Sequence, residues 1–348
     1  MDTVLAHALY KRLSDITPRA IANHHVVLLP DFFLDHFLTI TNSHDIEIEI
    51  KRLAAQGGGN YPRIPQFIQQ GGNAANTALG LARLGIQAHL ICRTSPLGRH
   101  LLDYFLGHAG VDLTGVKTDG ALAITTALEL GDQKANVMLG DPGSVADFYP
   151  ELLTDHDYTL IAEADLVAVV NWNLNFYGTS LAQTVFHYAK QHHVTTFFDT
   201  GDPSPKLHEI PSLLRDVITP PLVDIFGLNE NELRHYSGHI PTTQDDLVAT
   251  AKDFKTHTPA RLDLHTSTFS CSLDDTCTVM PTEKIATVLR TTGAGDYWNA
   301  ANIFATLLGF PAEERLAFAN LLAGLYISST DPQPPSLDQV KIVLNTQF

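Results

Sequence analysis

Short apolar runs rich in β-forming residues recur along the chain, and several of them are separated by segments of helical length. The runs are residues 26–29, 88–91, 166–170, 195–198, 224–228 and 261–264. An order of strand followed by helix predicts a mainly parallel sheet, because a parallel connection needs a long crossover that is usually a helix. We therefore expect an α/β protein whose central sheet is covered by helices on both faces.

Two intervals interrupt this order. Residues 39–50 place three isoleucines (Ile46, Ile48 and Ile50) in alternation with glutamates, and residues 121–139 mix threonines with leucines in a similar way. Alternation with a period of two predicts strands that present two different faces. From the residues alone, these strands could form a small sheet of their own or could be edge strands of the main sheet.

Length, composition and charge restrict the class of protein. With 348 residues, 44% of them hydrophobic, the chain can bury a large core. It has no run of about 18 apolar residues, so we expect no membrane partner. The net charge of −16 disfavours nucleic acid as a partner, because binding to it needs clustered lysine and arginine. Residues 1–22 lack the apolar core of a secretion signal, and we expect a helical extension on a cytoplasmic protein.

The segment Thr291-Thr292-Gly293-Ala294-Gly295-Asp296 precedes an apolar run over residues 297–308. Small residues allow a tight turn with exposed N–H groups, and the run predicts a helix whose N-terminus would point at an anion. Asp296 would lie at that positive end, where a carboxylate stays ionised and can accept a hydroxyl proton. The pattern indicates a phosphate site with a catalytic base. The alternative is an ordinary glycine loop followed by a first-turn acid.

A second glycine cluster, Gly71-Gly72-Asn73, opens an alanine-rich helix pattern that ends at Gly85. This cluster resembles the Gly-Gly signature of the ribokinase-like (PfkB) carbohydrate kinases, and the Thr-Thr-Gly-Ala-Gly-Asp segment resembles that family's second signature. The two stand in the family's order and are more than two hundred residues apart. The resemblance implies a ribokinase-like fold over residues 23–348. It also implies a small β-sheet lid from residues 39–60 and 118–140.

The resemblance also implies an activity and a mechanism. Members of the family transfer the γ-phosphoryl group of ATP, with Mg²⁺, to a hydroxyl of a sugar or sugar-like molecule. Asp296 would be the general base, and the backbone N–H groups of Gly293, Ala294, Gly295 and Asp296 would form the anion hole. Two other functions stay open, a nucleoside kinase of the same fold and a catalytically silent regulator that binds a sugar or nucleotide. Exposed lid edges favour a homodimer.

By the resemblance, the acceptor would be bound by residues near the first strand and the first signature. Asp35 is the preferred partner for sugar hydroxyls, and Asp31 is the second choice. Gly72 would let the sugar approach the backbone, while Asn73 and Asn76 would offer amides. The alternatives are a loop acid that caps the next element and a glycine turn with an asparagine cap.

Nucleotide and metal contacts are implied in the same way. Asn229 and Glu232 match the family's Asn-x-x-Glu motif, which organises Mg²⁺ and its waters near the phosphates. Thr292, Thr266 and Asn320 would bind the nucleotide. Taken alone, the acidic start of a helix at Asn229 would be interpreted as N-terminal capping.

Two departures from the family pattern concern the same region. Arg290 stands where members usually have an Asp, in a loop where some of them bind a monovalent cation, which puts potassium activation in doubt. His265 stands where a glycine-containing turn usually faces the nucleotide, which leaves the preference for ATP less secure. A phosphosugar acceptor would also need basic groups near the lid, and the candidates are Arg63, Arg93 and Lys134.

Overall fold

The computed structural model describes residues 1–132 and 135–347. The strands in these residues are β1 (His25–Leu29), β2 (Phe33–Ile40), β3 (Gln66–Gly71), β4 (Gln87–Leu90), β5 (Cys92–Arg93), β6 (Val116–Lys117), β7 (Ala123–Leu130), β8 (Ala135–Asp141), β9 (Leu166–Val169), β10 (Thr195–Asp199), β11 (Ile225–Asn229), β12 (Arg261–His265), β13 (Phe269–Leu273) and β14 (Cys277–Pro281). Strands β5 and β6 pair only as a short two-residue ladder.

The helices are α1 (Thr3–Asp15), α2 (Pro18–Ala22), α3 (Ser43–Ala55), α4 (Asn73–Leu84), α5 (Pro96–Phe105), α6 (Asp155–Glu163), α7 (Gly178–Gln191), α8 (Ile210–Leu213), α9 (Glu230–Ser237), α10 (Gln244–Lys255), α11 (Ala294–Leu307), α12 (Ala312–Ser328) and α13 (Leu337–Gln347). A π-helical turn, Leu214–Ile218, extends α8. Short 3₁₀ turns are Gly107–Ala109, Gly143–Val145, Pro150–Leu152, Trp172–Leu174 and Ser204–Glu209. Among the described residues, none of the helices combines the length and the apolar character that a membrane span requires.

The main sheet contains, within the described residues, eight strands in the order β14-β13-β12-β11-β10-β9-β1-β4. Strands from β4 to β12 pair in parallel, and β13 and β14 add an antiparallel edge. The six apolar runs of the sequence are the six parallel strands. Along β1, Val26 and Leu28 belong to one buried cluster, and Val27 and Leu29 belong to another. The sheet is therefore the middle of three layers, and the expected α/β fold is confirmed.

The lid is a separate sheet with strand order β3-β2-β7-β8. Strand β2 pairs in parallel with β7, and the outer pairs are antiparallel. The alternating interval of residues 121–139 forms β7 and β8, as expected. The alternative that these strands are edge strands of the main sheet is wrong.

The strand expected within residues 39–50 is wrong for most of that interval. Only its first two residues belong to β2, and the isoleucines lie in helix α3. Ile48 and Ile50 are exposed, so their alternation does not mark a buried face. The lid strands on this side of the sheet are β2 and β3, which lie before and after the helix.

Local interactions explain why this segment is helical. The Asn42 side-chain oxygen accepts hydrogen bonds from the N–H groups of His44 and Asp45, which caps α3. Glu47 pairs with Lys51, and Glu49 pairs with Arg52. These pairs have the three- and four-residue spacing that favours a helix. Since no residue of α3 is fully buried, such local terms outweigh the apparent period of two.

The N-terminal helix α1 is packed into the protein. Ala6, Leu9 and Leu13 are fully buried in the same cluster as residues of α12 and α13. The Arg12 guanidinium forms an ion pair with Glu314 and lies 5.3 Å from the Phe310 ring centroid. Residues 1–22, expected to be a helical extension, thus contain α1 and α2 and cover part of the core.

We expect Leu9→Ala to lower the free energy of unfolding by about 2–5 kcal/mol, because it opens a cavity in this cluster. Val4 lies on the same helix with 81% of its surface exposed, and Val4→Ala should change stability by less than about 0.5 kcal/mol. Urea unfolding of both variants checks this expectation. Equal midpoints for the two would show that α1 contributes no packing energy.

Candidate active site

Polar residues gather where the parallel strands of the main sheet end. Asp31, Asn171, Asp199, Asn229 and His265 lie at or just after the ends of β1, β9, β10, β11 and β12. Carboxyl ends of parallel strands meet at one edge of a sheet, which is the usual place for a ligand site in such folds. The N-termini of α4 and α11 reach the same edge through the contacts described below.

Asp31 caps helix α4. Its carboxylate accepts hydrogen bonds from the N–H groups of Asn73 and Ala74, both at 2.8 Å, and from Asn171 Nδ2 at 2.6 Å. Complete burial raises the pKa of Asp31 to about 6, although these hydrogen bonds oppose the shift. Gly72 precedes the helix with φ of +93°, a conformation that favours glycine. Asp31 thus caps a helix, but that helix is α4 and not, as the alternative expected, the next element along the chain.

Asn171 and Asn173 belong to the same edge, although asparagine at a strand end commonly only forms a turn. Asn171 is buried with φ of +56°, in the left-handed region. The Asn173 side-chain oxygen is buried and has no hydrogen-bond partner among the described residues. A buried acceptor without a partner is costly, so this oxygen is available to a ligand donor.

Asp35 is part of the lid and not of a loop. It lies on β2 opposite Thr125 of β7, whose hydroxyl donates to the carboxylate. The residue is 6% exposed, and burial raises its pKa to about 6, with Asp31 adding to the shift. A Cβ atom on Gly71 would lie 2.2 Å from Asp35 Oδ2. Only glycine at residue 71 therefore leaves room for this carboxylate.

The two glycine signatures meet at Asp296. Asn76 Nδ2, on α4, donates to Asp296 Oδ2 at 2.9 Å, and the Thr77 hydroxyl donates to the Asp296 carbonyl at 3.3 Å. Burial raises the pKa of Asp296 to about 8; the Asn76 hydrogen bond lowers it, and three nearby carboxylates, Asp199, Asp31 and Asp35, raise it. The carboxyl group is therefore mostly protonated near neutral pH, against the expectation that the helix N-terminus keeps it ionised, and it can accept a proton above about pH 8.

The loop before α11 is held in shape by its neighbours. Gly293 has φ of +84°, and the Ala294 N–H donates to the Thr291 carbonyl at 3.2 Å. The N–H groups of Gly295 and Asp296 meet no acceptor within the described chain. Ala294, one of the four residues expected in the anion hole, thus already uses its N–H group inside the loop. The N–H groups of Gly295 and Asp296 remain free to bind an anion.

Asn229 and Glu232 close a capping box at the start of α9. The Asn229 side-chain oxygen accepts from the N–H groups of Asn231 at 2.9 Å and Glu232 at 3.0 Å. Glu232 in turn accepts from the Asn229 N–H at 2.9 Å and from Asn229 Nδ2 at 2.7 Å. The capping role, which was the alternative to a metal role, is therefore present in the structure.

Glu232 is also buried beside other acids. Burial raises its pKa well above the ordinary value, and Asp199, Asp202 and Glu230 raise it further. No lysine or arginine among the described residues forms an ion pair with Glu232 or Asp199. The described residues also hold no group of three His, Cys, Asp or Glu side chains that could bind a metal directly. A Mg²⁺ ion held through its own waters fits this cluster of acids, because its charge would favour the ionised form of carboxyl groups that have no basic partner.

The residues expected on the nucleotide side are mostly engaged in local structure. The Thr266 hydroxyl accepts from the N–H groups of Thr268 and Phe269 and shapes the turn after β12. Asn320 Oδ1 accepts from Trp298 Nε1 at 2.9 Å. The His265 ring packs against that of Trp298 at an angle of 36°, with the ring centroids 4.9 Å apart. Burial lowers the pKa of His265, so a neutral imidazole lies beside Gly295 in the loop of residues 291–296, which we call the anion loop.

Arg290 joins the loop before α11 to the segment after α12. Its guanidinium donates to the carbonyls of Thr330, at 3.2 Å, and of Asp331, and it lies 5.3 Å from the Tyr326 ring centroid. The Tyr326 hydroxyl donates to the Thr292 carbonyl at 3.1 Å. A fixed positive charge thus already satisfies backbone carbonyls beside the anion loop.

We expect the turnover rate to be the same within about twofold in K⁺ and Na⁺ buffers, because the Arg290 guanidinium already provides a cation at this loop. Arg290→Ala should lower the turnover rate by about tenfold through a displaced anion loop, whereas the exposed-site change Arg19→Ala should have no effect. Steady-state rates in matched chloride salts test this. A several-fold stimulation of the unmodified protein by K⁺ would contradict it.

Of the basic groups expected near the lid, Arg63 and Arg93 lie among the described residues. Arg93 is paired with Asp119 at 3.1 Å and Asp147 at 3.5 Å, so two acids neutralise it. Arg63 is exposed, and Lys134 lies outside the described residues. Arg93 is thus not free to bind a phosphate group.

Residues 67–339 match the family model described as the pfkB family of carbohydrate kinases. This span is most of the chain. The chain belongs to the pfkB family of carbohydrate kinases. The resemblance carried by the two glycine signatures is confirmed, and as a pfkB member the protein is an ATP-dependent carbohydrate kinase.

Several relatives show how far the similarity extends. A 5-dehydro-2-deoxygluconokinase of Geobacillus thermodenitrificans (strain NG80-2) is 27% identical over 294 residues, covering 78% of this chain and 82% of the relative. A ribokinase of Arabidopsis thaliana is 26% identical over 321 residues, covering 87% and 79%.

Solved structures show the same fold. A ribokinase of Arabidopsis thaliana, in complex with ribose and ATP, superposes with a TM-score of 0.75 at 21% identity and covers 93% of this chain and 99% of its own. An adenosine kinase of Sinorhizobium meliloti has a TM-score of 0.74 at 18% identity and covers 94% and 100%. The ribokinase-like fold of this pfkB kinase is therefore established.

Proposed function

We propose that this pfkB kinase transfers the γ-phosphoryl group of ATP to a hydroxyl of an unphosphorylated sugar or sugar-like alcohol, with Asp296 as the general base. The observation that carries the proposal is the contact between Asn76 and Asp296, which joins the two signature helices at the carboxyl edge of the sheet. That contact places a carboxylate of raised pKa beside the unpaired N–H groups of Gly295 and Asp296.

The acceptor would lie between the lid and the N-terminus of α4. Asp35 would accept hydrogen bonds from its hydroxyls, because one carboxylate can receive two of them. Gly72 would leave room for the sugar, and the amides of Asn73 and Asn76 would bind and orient it. Asp31 would position the start of α4, since its oxygens already accept hydrogen bonds from the N–H groups of Asn73 and Ala74.

The chemical step follows from this placement. The acceptor oxygen attacks the γ-phosphorus, its proton passes to the Asp296 carboxylate, and the bond to the β,γ-bridging oxygen breaks to release ADP. The N–H groups of Gly295 and Asp296, within the Gly293–Asp296 anion hole, would stabilise the charge on the phosphoryl oxygens. Closure of the lid sheet would keep water from competing as acceptor.

The donor side would use residues around the anion loop. Thr292, Thr266 and Asn320 would contact the nucleotide, and Asn229 and Glu232 would hold Mg²⁺ through its waters. When bound, that ion would neutralise charge on the phosphates. The neutral His265 ring lies beside Gly295 and would neither attract nor repel a phosphate by its charge.

The assembly and the location of the enzyme are also proposals. Apolar side chains are exposed on the lid, among them Ile68, Ile124, Met138 and Leu139. Such a surface suits a second copy of the chain, so a homodimer through the lid is proposed. A cytoplasmic location is proposed because ATP is supplied there.

The test is Mg²⁺-dependent release of ADP from ATP with pentoses, hexoses, sugar acids, phosphosugars and nucleosides as acceptors. One strong hit among unphosphorylated sugars or sugar acids supports the proposal. A strong hit among nucleosides supports the second candidate, a nucleoside kinase, which the similarity to an adenosine kinase structure also favours. No release with any acceptor, also with GTP as donor, would support a silent binding protein.

We expect kcat/KM for the acceptor to rise with pH and to level off above about pH 8. The raised pKa of Asp296 means that the carboxyl group is protonated, and inactive as a base, below that pH. The rate constant should therefore fall about tenfold per pH unit in the range below pH 8. A profile from pH 5 to 9 measures this, and the exposed-site variant Asp245→Asn should keep the same profile. A flat profile between pH 6 and 8 would contradict the assignment.

A further inference from the structure

A second cavity lies beside β3, the edge strand of the lid sheet. Its volume is about 690 Å³, and it is bounded by β3, α4, α5 and residues 332–333. Ile68, Gln69 and Gln70 of β3 line it, so both faces of this edge strand border the cavity. Gln69 pairs with Asp35 across the lid. Neither Asp35 nor Gly72, Asn73 or Asn76 lines the cavity, so it is a different space from the proposed acceptor site.

The lining has a distinct chemistry. Tyr104 and Phe105 of α5 form an aromatic wall, and Tyr104 is 69% exposed. Arg83 and His108 also line the cavity, and none of the described lining residues is acidic. In a chain with a net charge of −16, such a lining stands out. It suits an anion whose apolar side packs on the aromatic rings.

Arg83 keeps hydrogen-bond donors for such an anion. Its Nε donates to the Pro334 carbonyl at 3.1 Å, and Nη2 approaches Gln339 Oε1 at 3.4 Å. A guanidinium has five N–H donors, so these two contacts fix its position and leave others free. A carboxylate or a phosphate could accept from them.

Gln70 connects this cavity to the catalytic loop. It is only 2% exposed, its Nε2 donates to the Tyr297 hydroxyl at 3.4 Å, and its Oε1 has no partner among the described residues. Tyr297 follows Asp296 directly, and its ring lies against that of Tyr326, with centroids 4.3 Å apart. The Tyr326 hydroxyl holds the Thr292 carbonyl. A ligand hydroxyl that donates to Gln70 Oε1 would therefore be connected, through Tyr297 and Tyr326, to Thr292 of the anion loop.

We propose that this cavity binds an anionic polyol, a phosphorylated sugar or a sugar acid, and that its occupancy changes the rate of phosphoryl transfer through Gln70 and Tyr297. The anion pairs with Arg83, the C–H face of the polyol packs on Tyr104 and Phe105, and a hydroxyl donates to Gln70. The effect on rate rests on the proposed kinase function, but binding does not. If the bound anion is a phosphorylated sugar, the rate of the kinase responds to the class of compound that it produces.

Calorimetric titration of the full-length protein tests the binding, with glucose 6-phosphate and gluconate as probes and neutral glucose as the control ligand. We expect at least one of the two anions to bind, and the preferred anion identifies the phosphate or the carboxylate source. Arg83→Gln and Tyr104→Ser should each weaken that binding by about tenfold or more, while Arg215→Gln, an exposed arginine in the other helical layer, should not. Tyr104→Ser changes an exposed side chain, so it keeps the test valid even if Arg83→Gln fails to fold.

Asp35→Asn and Tyr297→Phe complete the test. Binding should be unchanged in Asp35→Asn, because the cavity is not the acceptor site. In Tyr297→Phe the anion should still bind but no longer change kcat or KM for the acceptor found in the panel.

The proposal is overturned if neither anion binds at about 10 mM, if Arg83→Gln and Tyr104→Ser bind as the unmodified protein does, or if Asp35→Asn abolishes binding. Binding without any effect on turnover overturns the regulatory part. Absence of turnover with every acceptor defeats the kinase proposal and leaves the calorimetric result to decide on the cavity.

Discussion

Asp296→Asn is expected to lower kcat by about a hundredfold to ten thousandfold, the range that general bases contribute. The substitution removes the proton acceptor and keeps nearly the same shape. The asparagine oxygen can still accept the hydrogen bond from Asn76, so the junction of α4 and α11 should persist. Steady-state turnover with the best acceptor, together with calorimetric binding of that acceptor, separates a loss of chemistry from a loss of binding.

Stability gives an independent check on this variant. Burial raises the pKa of Asp296 to about 8, so ionising it in the folded protein costs free energy at every pH above its unfolded pKa. Asp296→Asn should therefore unfold at the same temperature as the unmodified protein or a higher one. Asp245 is an exposed acid in the first turn of α10 and is the matched control. If Asp296→Asn and Asp245→Asn both keep turnover within a few-fold of the unmodified protein, Asp296 is an ordinary first-turn acid.

Gly71→Ala is expected to raise KM for the acceptor by about thirtyfold while KM for ATP stays nearly constant. The added Cβ would lie 2.2 Å from Asp35 Oδ2, far inside van der Waals contact, so the carboxylate must leave its position. A charged group that loses its hydrogen bonds to a ligand costs about 2 kcal/mol, which corresponds to this change in KM.

The control for this variant is on the same lid sheet. A Cβ on Gly140 of β8 would meet no atom within 4 Å, so Gly140→Ala should leave both KM values unchanged. Asp35→Asn should reproduce the effect of Gly71→Ala, and the double variant should be no worse than either single variant, because both remove the same interaction. Additive effects, or equal KM values in Gly71→Ala and Gly140→Ala, would exclude Asp35 from the acceptor site.

Strand positions and the two glycine signatures could be predicted because each depends on neighbours in sequence. Buried parallel strands contain continuous apolar runs, since both faces of each strand meet helices. Gly72 and Gly293 adopt positive φ values that favour glycine, so their local backbone requirement is visible in the residue type. The strand expected within residues 39–50 was wrong for the opposite reason. No residue of α3 is buried, so the alternation of isoleucine and glutamate there does not reflect a buried face of a strand.

The roles of individual side chains were harder to predict. Asp31 and Asp35 are four residues apart and both are acids after or near the first strand, but one caps α4 and the other lies on the lid. Their difference comes from Ala74 and Thr125, which approach from distant parts of the chain. In the same way, Arg290 donates to the carbonyls of Thr330 and Asp331, about forty residues further along the chain. No local sequence pattern predicts that contact.

By itself, the sequence determined the six parallel strands, the glycine turns before α4 and α11, and the position of a candidate base at the start of α11. Periodicity and backbone conformation are local properties, so a single sequence displays them. Only the tertiary structure decided that Asn76 meets Asp296, that Gly71 makes room for Asp35, and that Gln70 connects a second cavity to Tyr297. Those contacts join segments separated by tens to hundreds of residues, and they depend on how layers and lid pack together.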